Sequence, residues 1–417
     1  MLRRLPLARS ALVPRSATFS PLAHRPFALI LAGAVLANLG NAIQSVGAAW
    51  HLTAGGQPAD VVALVQTALN LPILLLALPA GAWADMHDRR RIVLTAQGAM
   101  LALSLVLAVF ALAGNLSPAM TIALTALLAC GIAAFSPAMG ASIRGAVPAA
   151  ELAAAVALNI LIFNAARAVG PAIGGSIVAV GGASAAFLVN AACYMLAIAL
   201  YLRWKPAAEP PRERRPLGSM VAEGLRHAFA SREIRTILLR ALAFTLTGAA
   251  AWALMPLVAD RMLGRGASTY GLLLGALGLG AVLGAASATW FRTRYSAEAI
   301  TRAAGLIYGL AVVAVALQPG LAATLALLVL AGAGWVQALS GFSVAAQLWA
   351  PPHIVGRVVA LASAVTFGGI ALGSWLWGHY AESAGVAGAV LASGGAMVVL
   401  PLLGLLLPMP AHAAPEN

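Results

Sequence analysis

The chain has 417 residues, 62% of them hydrophobic and only 9% charged, with a formal net charge of +13. A soluble domain carries about 25% charged residues, so this composition excludes a water-soluble globular protein and points to one whose surface meets lipid. Its arginines fall in short stretches between apolar runs, not on a surface interleaved with base-reading side chains, so no nucleic-acid partner is expected. Cys130 and Cys193 both lie in apolar runs without metal-ligand spacing; no metal and no cofactor are expected.

Residues 1–26 carry arginine and serine and no acid. That pattern suits an organellar transit peptide or a cytoplasmic tail, and the tail is the reading adopted. A bilayer core about 30 Å thick needs ~20 apolar residues in a helix. Such runs follow at 27–50, 61–83, 92–113, 118–143, 152–180 and 184–203, and again at 237–262, 269–291, 299–317, 321–346, 358–380 and 386–407. Between the two series lies a polar linker, 204–236, whose MVAEGLRHAFAS stretch has the period of an amphipathic surface helix. The expected architecture is an all-α integral membrane protein with about twelve transmembrane helices. They form two pseudo-symmetric six-helix bundles, 27–203 and 237–408, followed by a tail at 409–417. Two related halves joined by a linker is a transporter architecture.

With the N-terminus inside, every one of the 25 basic residues except Arg167, Arg261 and Arg265 falls on the cytoplasmic side. The positive-inside rule therefore predicts both termini in the cytoplasm and an inner (plasma) membrane location.

Charge is most concentrated in GAWADMHDRRR, residues 81–91, after the second run. One reading is a positive-inside anchor. Anchoring, however, does not call for Asp85 at the end of an apolar helix, where a carboxylate is costly without a partner. The stretch resembles the loop motif of the major facilitator superfamily: Gly81, Ala84, Asp85, Arg89 and Arg90 match in register, while Trp83, Met86, Asp88 and Ile92 depart from it. LNILIFNAARAVGPAIGG, FLVNAACYML, YGLLLGALGLGAVLG and HIVGRVVA are similar to one branch, the transmembrane secretion effectors that include enterobactin exporters. The resemblance implies a major facilitator fold and a conformational latch formed by Gly81, Asp85, Arg89 and Arg90. In it Asp85 meets the start of the eleventh helix when the cytoplasmic side closes.

Gly170, Pro171, Gly174 and Gly175 resemble an exporter signature on the fifth helix; generic helix packing is the alternative. Arg167 lies within a span, and an arginine there marks a pathway or a buried pair. Polar residues at helical spacing are further pathway candidates: Asn38, Asn41, Gln44 and Ser45, then Gln66 and Asn70, Asn159 and Asn164, and finally Gln337, Ser340 and Gln347 near Trp335. Interhelical hydrogen bonding is the alternative for each. His51, Asp60, Asp260, His379 and Glu382 lie near the outer ends, as solvated loop residues or proton sites. No catalytic motif is found, so the expected protein is a secondary transporter and not an enzyme. It acts as a monomer in the lipid bilayer and exports a small amphipathic molecule such as a siderophore or drug-like compound. A proton as coupling ion is left open. Import of a neutral nutrient, and a non-transporting membrane enzyme or scaffold, are the alternatives.

Overall fold

A computed structural model describes residues 19–206, 226, 230–318, 320–351 and 354–410. Most of the predicted amphipathic stretch at 220–231 and most of both tails lie outside these residues. In chain order the helices are α1 (Arg25–Ala54), α2 (Ala59–Met86), α3 (Arg89–Leu112), α4 (Pro118–Ile143) and α5 (Leu152–Arg203), then α6 (Arg232–Gly248), α7 (Ala250–Ala253), α8 (Met255–Leu257) and a π turn (Val258–Met262), and finally α9 (Ala267–Arg292), α10 (Ala297–Ala316), α11 (Leu321–Trp349), α12 (Val355–Val399) and α13 (Leu403–Leu406). Among the described residues, nine helical stretches are long and apolar enough to cross a membrane, two of them more than fifty residues long. The chain is an all-α, multi-pass membrane protein.

Both of these long stretches double back. Gly182 in α5 and Gly385 in α12 take φ of 69° and 72°, a left-handed conformation that glycine adopts without a Cβ penalty. Each helix thus becomes two antiparallel arms joined by one residue: 152–181 with 183–203, and 355–384 with 386–399. The same device recurs at the same place in each half of the chain.

Local signals set the starts. Ser117, Ser231 and Ser296 cap α4, α6 and α10 by accepting from the backbone N–H three residues on. Asp88 caps α3, accepting from the N–H groups of Arg90 and Arg91. The departure from glycine at this position is therefore a helix cap. Because of the Ser231 cap, α6 begins at Arg232, five residues before the expected start at 237.

The seventh span, expected as one helix over 237–262, is broken after Gly248. The break frees backbone carbonyls that lipid could not satisfy. Side chains from other helices take them: Trp377 Nε1 donates to Leu246 O (2.9 Å), Ser393 Oγ to Thr247 O (2.6 Å) and Tyr308 Oη to Gly248 O (2.5 Å). The broken span therefore leaves no unsatisfied carbonyl at these three positions, and Trp252 follows directly after the break.

Helices α1–α5 pack on one another, as do α6–α13; the two groups meet along α2 against α12 and α5 against α9. Large apolar side chains such as Val180, Leu75 and Leu317 stand on the outside, 93%, 63% and 71% exposed, where lipid would cover them.

Candidate functional site

One face of the molecule carries Arg25, Arg89–Arg91, Arg144, Arg203, Arg232 and Arg235, with Arg292, Arg294, Arg302 and Arg357; the other carries Arg261 and Arg265. On the arginine-poor face the halves are clasped. The Glu382 carboxylate at the end of the first arm of α12 accepts a hydrogen bond from the Ala59 N–H at the start of α2. Arg261 donates to Gln57 O at 2.8 Å, and Trp50 stacks on Tyr270 with centroids 6.3 Å apart. A carboxylate at a helix N-terminus is favoured by about 0.3–1 kcal/mol. Sequence gave Glu382 only as a solvated residue or a proton site, because its partner is a backbone group more than three hundred residues away. Glu382→Gln is expected to raise maleimide labelling of a cysteine placed at Gln66, reached from the arginine-poor side, about two- to fivefold, the equivalent of that free energy. An unchanged rate would show the clasp to be without consequence.

The contacts between halves then fade along the helices in step with the seven-residue repeat. On α2, Asp60 meets Gly378, Thr67 donates to Ala371 O at 2.9 Å and Leu74 meets Gly368, but one repeat further Gly81 faces open space. On α5 and α9, Gly175 meets Gly271 and Ala168 meets Gly278, whereas the next positions, Leu161 and Ala285, are both exposed. A cavity between the halves is thus closed on the arginine-poor face and open on the arginine-rich one.

At its closed end stands Arg167. It lies fifteen residues into α5, about 22 Å along the helix at 1.5 Å per residue. On α5, Gly170 and Gly174 pack against α1 while Ala168 and Gly175 pack against α9; Arg167 falls between these faces, away from the lipid-facing Val169 and Val180. Arg167 is exposed as a whole, and its guanidinium lies 5.8 Å from the Phe163 ring centroid and 5.6 Å from that of Trp252, which belongs to the other half. No carboxylate pairs with it among the described residues. An arginine at mid-membrane costs about 2.5–3.5 kcal/mol on insertion scales. A desolvated cation–π contact returns about 2 kcal/mol at best, so the rings offset part of that cost and supply no acceptor.

The other predicted residues are placed as follows. Arg89 is buried and donates to Ala141 O of α4 at 3.0 Å; Arg90 donates to Leu202 O at the end of α5 at 2.6 Å. Both meet C-terminal carbonyls, which attract cations, and so tie three helix ends of one half together. Asp85 lies in the last turn of α2, and its side chain is outside the described residues. The Pro171 carbonyl packs against Gly271, so the glycine–proline signature faces α1 with two residues and α9 with the others. Asn41 accepts from Tyr194. Asn38, Ser45 and Asn164 donate to carbonyls of their own helices, and Asn70 to both the carbonyl and the side chain of Gln66. Gln44 is buried and Asn159 half-buried. Gln337 ties α11 to α9 through Gly284 O at 2.9 Å, Ser340 accepts from Arg292 at 2.7 Å, and Gln347 bonds Ser343 of its own helix. Trp335 is buried, with ring centroids 5.3, 5.4 and 5.9 Å from those of Phe244, Tyr308 and Trp252. Arg167 is the predicted pathway residue that the structure brings to both halves at once. Its partner Trp252 was not singled out from sequence, since an apolar run conceals a break in the helix.

Comparison with known proteins extends this picture. The multidrug efflux pump Tap of Mycolicibacterium fortuitum is 30% identical over 398 residues, covering 92% of this chain and 96% of Tap. The staphyloferrin A transporter of Staphylococcus aureus (strain NCTC 8325 / PS 47) is 27% identical over 250 residues, 59% of this chain and 62% of that protein. Among solved structures, the nucleoside transporter NupG superposes with a TM-score of 0.75 at 12% identity, covering 92% of this chain and 100% of that one. A bacterial homologue of the human lysosomal transporter Spinster, inward-facing and unoccupied, superposes with a TM-score of 0.70 at 16% identity, covering 92% and 95%. These structures speak for the fold. The family profile described as transmembrane secretion effector matches residues 16–417, and the chain belongs to that family.

Proposed function

We propose that this protein is a secondary transporter of the plasma membrane that exports a small amphipathic molecule, of the drug-like or siderophore class, by alternating access. The observation that carries the reading is the cavity between the halves, open on one face, clasped on the other and lined by residues of both. The arginine-rich face is assigned to the cytoplasm by the positive-inside rule, so the described state takes up cargo from inside. Similarity to an efflux pump and to a siderophore transporter supports the cargo class. Transport against a gradient needs a coupling ion, and the proton is the proposed one.

The test is accumulation of labelled drugs and siderophores in cells with and without the gene, with and without a protonophore. Lower accumulation in the expressing cells, abolished by the protonophore, is the expected result. Higher accumulation would identify an importer, and a solute turned over but not moved would identify an enzyme.

In the opposite state the cytoplasmic mouth closes, and Asp85 is proposed to latch onto the N-terminus of α12, a favourable site for an anion. Gly81 and Gly356, on the two helices concerned, have open space beside them, as a released latch requires. Asp85→Asn is expected to leave folding intact and to raise cytoplasmic labelling of a cavity cysteine about two- to fivefold, by the same helix-terminus energetics. Labelling equal to wild type would remove the latch from the mechanism.

A further inference from the structure

We infer that the cargo carries an oxyanion beside a flat apolar body, and that Arg167 and the Trp252 indole bind that anion at the closed end of the cavity. The inference rests on the transport reading and adds the chemistry of what is carried. Two observations point the same way. The Arg167 guanidinium, with five N–H donors, meets two aromatic faces and no carboxylate among the described residues. Independently, the Trp252 Nε1 is buried without a hydrogen-bond partner, and the indole N–H can only donate. Arg240, also set among the helices, differs: Glu298 meets it directly. The site at Arg167 therefore offers donors, a positive charge and ring faces, and no carboxylate meets it among the described residues.

The complementary group accepts hydrogen bonds, carries negative charge and is planar enough to lie between rings. A carboxylate, phenolate or similar oxyanion attached to an aromatic or alicyclic body satisfies all three conditions, with bidentate pairing to the guanidinium. Val156, Ile160 and Phe163 follow Arg167 down the same face of α5, all exposed, and give the apolar body a wall to lie on. An ammonium cargo leaves both donors unmatched and is repelled by the guanidinium, whereas a neutral carbonyl accepts hydrogen bonds but brings no opposing charge.

The experiment uses the full chain in lipid nanodiscs and three probes with one ring system: 2-naphthoate, 2-naphthamide and 2-naphthylmethylammonium. Equilibrium binding is expected to favour naphthoate over the amide by about tenfold or more, the scale of a charge-assisted bidentate pair. Arg167→Gln is expected to erase that preference while leaving amide binding within about threefold of wild type. Arg167→Lys keeps the charge but not the fork, and is expected to retain part of the preference. Trp252→Phe keeps a ring and removes only the N–H; it is expected to weaken naphthoate about threefold and the neutral amide less. Where Arg167→Gln loses amide binding, and with it evidence of a folded site, the lysine and phenylalanine variants decide.

Equal binding of acid and amide by wild type, a preference for the ammonium, or no loss of preference in any variant overturns the inference. The two readings separate cleanly. Cells that expel the ammonium but not naphthoate keep the export reading and sink the anion site. Naphthoate selectivity lost on Arg167→Gln, with no solute moved by cells, keeps the site and sinks export.

Discussion

Valine in place of Gly271 is expected to reduce export at least about tenfold while the protein remains folded. A Cβ on Gly271 would stand 2.5 Å from the carbonyl oxygen of Pro171 and 2.8 Å from the Cα of Gly175. These are backbone atoms, so no rotamer change relieves the clash, and overpacking of this kind costs about 1–3 kcal/mol. Because α5 and α9 belong to different halves, the strain is released by parting the helices without unfolding either one. An equilibrium between two facing states moves about tenfold for every 1.4 kcal/mol, so the state clasped on the arginine-poor face loses most of its population. Efflux rate, thermal stability and cysteine accessibility from the arginine-poor side measure the three parts of this expectation. Wild-type efflux in the valine variant would show that close approach of α5 and α9 is dispensable. A valine at Gly332 provides the contrast. That position meets the Leu277 carbonyl inside one half, where the helices cannot part without unfolding, and lost stability is the expected result.

The second large effect concerns the buried ion pair of the C-terminal half. Arg240, 6% exposed, meets the Glu298 carboxylate and donates to Leu407 O at 3.2 Å; Arg302 and the Met409 N–H bond the same carboxylate, at 2.5 and 2.7 Å. One carboxylate therefore gathers α6, α10 and the end of the chain. Glu298→Ala strands the Arg240 charge in a buried site, and breaking such a pair costs about 3–5 kcal/mol. The expected result is a sharply lower Tm and poor yield. Adding Arg240→Met to the same chain is expected to restore most of the loss, since apolar replacement of both partners is often neutral. A single variant as stable as wild type would mean that Arg302 and the backbone, without Glu298, hold this corner.

These effects also mark what sequence does and does not reveal. Spans were legible because lipid demands about twenty apolar residues whatever the tertiary contacts, and the expected start of the fifth span at 152 matches α5. The family resemblance was legible for a related reason: its motifs are contiguous. What stayed hidden depends on partners far along the chain. Arg240 reads as one more cytoplasmic cation until Glu298 lies against it. The break after Gly248 is hard to read because residues 241–259 carry no charge, and the side chains that repair it come from Tyr308, Trp377 and Ser393. Asp88 looks like a lost glycine and proves to be a cap. Several polar residues offered as pathway candidates, Asn41 and Gln337 among them, have interhelical partners within one half. Arg167 was legible as an anomaly, while its aromatic cradle was not.

In the proposed alternating-access cycle, the cradle has one wall on each moving body. Phe163 and Arg167 ride on α5, and Trp252 hangs from the interrupted seventh span of the opposite half. A molecule gripped by both is a bridge whose span is set by the tilt between the bodies. When they swing to open the other mouth, the gap changes and so does the grip. A grip that differs between the two orientations, and with it a cargo that biases the swing, then follows from the placement of two side chains.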